Sequence, residues 1–192
     1  MRSLIFAAAL AGLLAACAPT STPSTPLAPP SAGVPAPVLR LSPGALGRDL
    51  ALQQRVAVRY QTPAGEETRE IQTLLQADAA HTRLAAIAGA QVLAKLDWDG
   101  QTLNVTRAPW APAELMPERI LSDLQLALWP APAIEQALPP GWTLEVAQQA
   151  RRLRYQETTV VEVLFPADGA IDLVQYRDGY ALTIRPLPET TR

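Results

Sequence analysis

From Leu52 onward, apolar side chains fall at every second position. Leu52, Val56, Val58 and Tyr60 share one parity, with Gln53, Arg55 and Arg59 on the other. That alternation is the signature of a half-buried strand. Ile71, Leu74 and Leu75 mark a second strand over 68–77, and 83–88 and 91–98 form a third and fourth around Gly89. Asp99-Gly100 is a hairpin turn signal, and Leu103, Val105 and Arg107 continue as a fifth strand. The period then changes. Ile120, Leu121, Leu124, Leu128 and Trp129 recur at three- and four-residue spacing, with Arg119, Ser122, Asp123 and Gln125 between them. This predicts an amphipathic helix that starts at Pro117, ends before Pro130 and carries its polar residues on the opposite side. A short helix over 133–138 precedes Pro139-Pro140-Gly141. Alternation then resumes at Trp142, Leu144 and Val146, at Leu153 and Tyr155, at Val161, Val163 and Phe165, at Ile171 and Leu173, and at Tyr180, Leu182 and Ile184.

About five strands, two helices and about five strands, with short connections, predict a mainly β (α+β) fold built on an antiparallel meander. Two helices cannot flank a flat sheet of that width. The expected solution is a strongly curved sheet, a half-barrel, with the mid-chain helices covering its concave face and an apolar cavity between them.

Composition divides the chain into three. Residues 18–38 are Pro, Ser, Thr and Ala with almost no large apolar side chain. Such a stretch buries too little surface to fold. It is expected to be a disordered tether reaching up to roughly 60 Å in polyproline geometry. Residues 39–192 are expected to form a single domain, consistent with 48% hydrophobic residues and a length sufficient for one core. Before the tether, Arg2 precedes an apolar run over 4–14, about eleven residues and too short to span a bilayer. Ala15 and Ala16 close it, which is signal-peptide order for 1–16.

Cys17, the only cysteine, follows in Leu14-Ala15-Ala16-Cys17. The motif resembles the lipobox of bacterial lipoprotein precursors. The resemblance implies a lipid on the Cys17 thiol, cleavage before Cys17, acylation of the new amino terminus by a chain such as palmitate, and tethering to a membrane. Ala18 rather than Asp follows the cysteine. By the enterobacterial sorting rule this implies the outer membrane, with the domain facing the periplasm.

Candidate chemistry is sparse. With Cys17 lipidated, no disulfide, thiol nucleophile or cysteine metal site remains. His81, the only histidine, has no acidic or serine companion at a motif spacing. No nucleophile elbow, His-Glu-x-x-His pair or phosphate loop occurs. Asp97, Asp99, Asp123, Glu145, Glu157 and Glu162 are dispersed, and Arg151, Arg152 and Arg154 read as a solvated strand face. The net charge of -2, with both signs scattered, gives no reason to expect a nucleic-acid partner. No enzyme activity, cofactor or metal is predicted. Trp98, Trp110, Trp129 and Trp142 all fall at element ends around the helical insertion. They suit either a packed seam between helix and sheet or a cavity mouth.

The run 112–130, the segment Leu138-Pro139-Pro140-Gly141-Trp142 and the residues Gly179, Tyr180, Leu182, Thr183 and Ile184 are similar to a bacterial lipoprotein family known as domain of unknown function 3261. That family often looks like a component of aryl-polyene and related lipid-pigment export systems. The order of strands, helices and strands also resembles the lipoprotein carrier LolA and the receptor LolB. Those resemblances imply a half-barrel with a helical lid over an acyl-chain cavity. The short turn Ile87-Ala88-Gly89-Ala90 stands where LolB has a protruding apolar loop. The expected function is therefore binding of an acyl chain, a lipid-linked polyketide or a lipoprotein for transfer to or from the outer membrane. The expected partners are that membrane, through Cys17, an acyl-chain or lipid ligand and a periplasmic carrier protein. The expected lining is Ile120, Leu124, Leu128 and Trp129 on the lid, with Val92, Leu96, Trp98, Val105 and Trp142 on the sheet. The alternative is a non-catalytic structural or assembly factor of an envelope complex, with a filled core.

Overall fold

The computed structural model describes residues 27–28, 32–111 and 116–187; the signal segment and Cys17 lie outside them. Ten strands form one open antiparallel sheet. The first five are β1 (Leu50–Thr62), β2 (Gly65–Ala77), β3 (Thr82–Ala88), β4 (Gln91–Trp98) and β5 (Leu103–Arg107). Helices α1 (Pro117–Leu128) and α2 (Ala131–Ala137) follow. The chain closes with β6 (Trp142–Ala147), β7 (Ala150–Tyr155), β8 (Thr158–Leu164), β9 (Ile171–Gln175) and β10 (Tyr180–Pro186).

Spatially the order is β5-β4-β3-β2-β1-β10-β9-β8-β7-β6. Each half is a meander. The halves are joined where β1 pairs with β10, from Gln54↔Pro186 to Tyr60↔Tyr180. Tight turns fix the registers. At the β4–β5 turn Gly100 takes a positive φ of 92°, and the Asp99 carboxylate accepts from the Gln101 and Thr102 amides at 2.8 and 2.7 Å. Those two bonds to the charged form hold the Asp99 carboxyl below its ordinary range.

One face of the sheet packs on α1 through two apolar clusters. Leu75, Leu84, Leu96 and Trp98 of the first half meet Leu121 and Leu124. Leu153, Val161, Val163 and Leu173 of the second half belong to a larger cluster with Leu126, Trp129 and Ile134. Ala36, Leu39, Leu41 and Leu46 complete that larger cluster. Part of the stretch expected to be free tether is thus packed. Ala36 is buried, and the Ala36 carbonyl accepts from Arg119 Nη1 and Nη2 at 3.2 and 3.1 Å. A folded strap therefore begins before Leu39. The chain reaches β1 from it through one 3-10 turn at Pro43–Leu46.

Candidate functional site

Helix α1 occupies the position expected for a lid, so its attachments decide what the fold can do. Pro117 opens it and Glu118 lies in its first turn, while Met116 at its N-cap makes no side-chain cap bond. The pattern of apolar residues predicted one solvated side. Instead Leu121 through Ala127 are all buried, including Ser122, Asp123 and Gln125. Each polar side chain has found an internal partner, as burial requires. Ser122 Oγ accepts from the Leu39 amide at 3.0 Å. Gln125 Oε1 accepts from the Leu41 amide at 2.9 Å, and its Nε2 donates back to the Leu41 carbonyl at 2.9 Å. The amide of Gln125 thus pairs the strap as a neighbouring strand would.

Asp123 points the other way, onto β9 and β10. Gln175 Nε2 donates to Asp123 Oδ1 at 2.6 Å, and the Tyr180 hydroxyl donates to Oδ2. Burial pushes the carboxyl up from 3.8 to about 6, against the opposing pull of Tyr180, Gln175 and Arg119. The Tyr180 phenol is raised too, by burial first and then by the Asp123 charge. Arg119 lies 3.3 Å from Asp178 Oδ2 at the same end of the helix. Periodicity hid this cluster, because Asp123 comes more than fifty residues before Gln175 and Tyr180.

The carboxyl end of α1 is capped by Arg151. Its Nη1 donates to the carbonyls of Leu126, Ala127 and Trp129 at 2.8, 3.3 and 2.8 Å. A guanidinium there satisfies orphan acceptors and complements the helix dipole. Arg151 therefore does not belong to a solvated face, and its desolvation lowers its pKa. Arg152 and Arg154 do face outward, but they are spent on Glu145 at 3.0 and 3.2 Å, and Arg152 also on Glu162 at 2.7 Å. These donors hold the Glu145 carboxyl below its ordinary range. His81 has an acidic companion that sequence spacing concealed: Asp97, across the β3–β4 ladder, lies 2.7 Å from its Nδ1. Arg83 shares that carboxylate at 3.5 Å, which makes an exposed ion cluster.

The expected lining residues separate. Leu96, Trp98, Leu124 and Trp129 are buried, but as packed core rather than as cavity wall. The indoles of Trp98 and Trp129 donate to the strap carbonyls of Leu41 and Ser42 at 2.7 and 3.1 Å. Leu128 and the half-buried Trp142 pack against the larger cluster, with Trp142 tilted on Tyr155 at 5.2 Å. Val92 is 44% exposed. The register of β3 with β4 shifts between Ala86 and Ile87, so Leu93 is inserted, both Leu93 and Ala94 are buried, and the parity reverses at Val92. Leu96, Val105 and Ile120 do meet, around a gap of only about 10 Å³ beneath the first turn of α1. That is at the threshold for one water. An expected open cavity is therefore filled by the domain's own side chains at this position. A larger open groove of about 430 Å³ lies elsewhere, over Ala147, Gln149, Ala150, Leu164, Phe165 and Pro166.

Among the described residues no group of three His, Cys, Asp or Glu is placed to hold a metal ion, and no helix is long and apolar enough to cross a membrane. The model of the family described as "Protein of unknown function (DUF3261)" matches residues 51–188. The chain belongs to this family. The match takes in both helices and the sheet from its first strand to its last, and it leaves the strap outside. No curated protein matches the chain.

Proposed function

We propose that this DUF3261 protein is an outer-membrane-anchored lipoprotein whose domain is a LolA/LolB-like half-barrel with a filled core, acting without catalysis as an assembly or scaffolding module of an envelope complex. The observation that carries this reading is the state of α1. A ligand pocket encloses about 300–1,000 Å³, far above the gap of about 10 Å³ beside Ile120; the groove of about 430 Å³ is open and has no residue of α1 in its lining.

Opening by lifting α1 is opposed by magnitude. Burial of Leu121, Leu124, Leu126 and Trp129 contributes about 1.5–3 kcal/mol per side chain. The bonds from Ser122 and Gln125 and the Arg151 cap contribute about 1 kcal/mol each. Together these approach the ~5–15 kcal/mol that holds a whole domain folded. In this reading α1 is the core of the domain rather than its lid.

Support for strong curvature comes from reach. Seven ladder steps separate β4 from β7, about 34 Å if flat. Helix α1 is about 18 Å long and 10–12 Å across, yet it packs in one cluster with Leu96 and Trp98 of β4 and in another with Leu153 of β7. A partner surface is offered by the apolar groove at Leu164 and Phe165, next to exposed Val146 on the edge strand β6.

The test has two arms. Titration of the purified protein with a fluorescent fatty acid is expected to show no saturable site. Native extraction of envelopes is expected to find the protein in a high-mass complex that Leu164→Asp dissociates. Stoichiometric fatty-acid binding would overturn the filled-core reading. It would restore the acyl carrier, for which the meeting of Leu96, Val105 and Ile120 at the sheet edge is the favouring observation.

A further inference from the structure

The antiparallel order sends one set of connections to each end of the sheet. The β1–β2 turn, the β3–β4 turn, the exit from β5 and the start of α1 share one end. Exposed large apolar side chains collect there. Trp110 and Met116 are each 53% exposed, and Val92 is 44% exposed. The backbone brings the segments of Val92 and Trp110 together: the Ala108 amide donates to the Leu93 carbonyl at 2.9 Å, and the Ala111 amide to the Ala108 carbonyl at 2.9 Å. Pro117, directly after Met116, meets Val105 around the small gap, which exposed Lys95 also borders.

The segment that leads back toward Cys17 leaves from this same end. The Ala36 carbonyl is held by Arg119 in the first turns of α1. Arg177, in the β9–β10 turn, donates to the Ala32 carbonyl. Farther back, the Leu27 amide donates to Glu66 at 3.0 Å and the Leu27 carbonyl accepts from Gln61 at 2.8 Å, both beside the β1–β2 turn. Cys17 precedes Leu27 by ten positions, and ten residues span at most about 35 Å whatever their conformation.

We infer that this end of the domain is a bilayer-docking face, on which Trp110, Met116 and Val92 enter the lipid interface while the anchor holds them there. The inference rests on lipidation at Cys17, as proposed above. The occupant follows from the geometry: an acylated Cys17 puts a lipid surface within about 35 Å of Leu27, on the side where the apolar patch lies. The chemistry agrees. An indole is apolar on its faces and polar at its N–H, which suits the boundary between headgroups and acyl chains. A lysine at the patch margin suits anionic headgroups.

The test uses the full chain, purified with its anchor and reconstituted in phosphatidylethanolamine–phosphatidylglycerol vesicles with brominated acyl chains. Trp98 and Trp129 are buried and beyond the reach of bromine, and the half-buried Trp142 is common to parent and variant, so the component that Trp110→Phe removes is the reporter. Bromine is expected to quench an emission component that Trp110→Phe abolishes and that Met116→Asp or Val92→Asp reduces at least twofold, with unchanged circular dichroism. Equal quenching in Trp110→Phe and the parent protein, or none in either, overturns the docking face; a protein partner for the patch would produce the latter. Mass spectrometry of Cys17 separates the two readings. If Cys17 is bare, the anchor assignment fails, and the docking face is decided by the same Trp110 signal with the unanchored chain.

Discussion

At its carboxyl end α1 is held from three directions. Arg151 caps its last carbonyls, Trp129 is fully buried and donates to the strap, and Gln125 pairs with Leu41. At its amino end Arg119 holds the Ala36 carbonyl, but Met116 makes no side-chain cap bond and about half its surface faces water, as does that of Trp110. The same two residue classes, tryptophan and long aliphatics, are core at one end and surface at the other. Burial with a satisfied indole N–H contributes to stability. Exposure of a comparable side chain contributes little to the fold, and several such side chains at one end mark a surface able to meet a partner. The end that is closed holds the molecule together; the end that is open is the one free to meet something else.

The sharpest way to break that comparison is to truncate one tryptophan at each end. Trp129→Ala is expected to lose about 3–5 kcal/mol of stability, because it leaves a cavity and removes the indole bond to the Ser42 carbonyl. Trp110→Ala is expected to fall within about 0.5 kcal/mol of the parent. Urea denaturation followed by circular dichroism measures both. Similar losses at the two sites would mean that the open end is structural after all.

Next in size is the strap. In Gln125→Ala the Leu41 amide loses its acceptor in a buried position, which costs about 1–3 kcal/mol. The Leu41 carbonyl keeps Trp98 as a donor. Stability should therefore fall less than in Trp129→Ala, while limited proteolysis should begin to cut between residues 36 and 42. A strap that stays protected would show that its apolar contacts alone hold it.

Sequence pattern revealed nearly every strand and both helices, because each obeys a local period: two at Val161, Val163 and Phe165, near 3.6 at Leu121, Leu124 and Leu128. It placed the boundary between meanders and helices for the same reason. What stayed hidden depends on residues brought together from far along the chain. The pairing of β1 with β10 joins Val56 to Ile184, and no local signal encodes it. Residues 34–38 read as tether because Pro, Ala and Val make them up, yet Arg119 and Ser122 donate to the Ala36 and Pro37 carbonyls. A polar residue on a helix reads as solvent-facing until its partner is known, which is why Asp123 was assigned to the wrong environment. Val92 failed for a different reason: a single inserted residue reverses every parity beyond it.

The buried carboxyl gives a pH test of the middle of α1. Because the folded-state pKa of Asp123 is raised, from 3.8 to about 6, the native state holds more protons than the unfolded state between those values. Stability from this group is therefore lost as pH rises from about 4 to 6 and stays lost above. The corresponding free energy is about 3 kcal/mol at most. Asp123→Asn keeps a polar side chain near Gln175 and Tyr180 but cannot ionise. Its stability relative to the parent is expected to rise by about 1–3 kcal/mol between pH 4 and 7, measured by urea midpoints across that range. A flat difference would show that Asp123 titrates normally and that Arg119 neutralises it.

The smallest effect belongs to the outer face of β6–β8, where Arg152 bridges Glu145 and Glu162. These groups are partly exposed, so water screens them, and long side chains lose entropy when they are held in place. Arg152→Gln is therefore expected to leave the urea midpoint almost unchanged, and entirely so in 1 M salt. Asp123, by contrast, has its partners inside the domain, so its pH-dependent contribution should persist at high salt. Comparing the two variants at low and high salt thus sorts the polar groups of the molecule by burial. If Arg152→Gln were as damaging as Gln125→Ala, the outer ion pairs would be part of the framework, and the distinction between a structural interior and an adaptable exterior would have to be redrawn along β7.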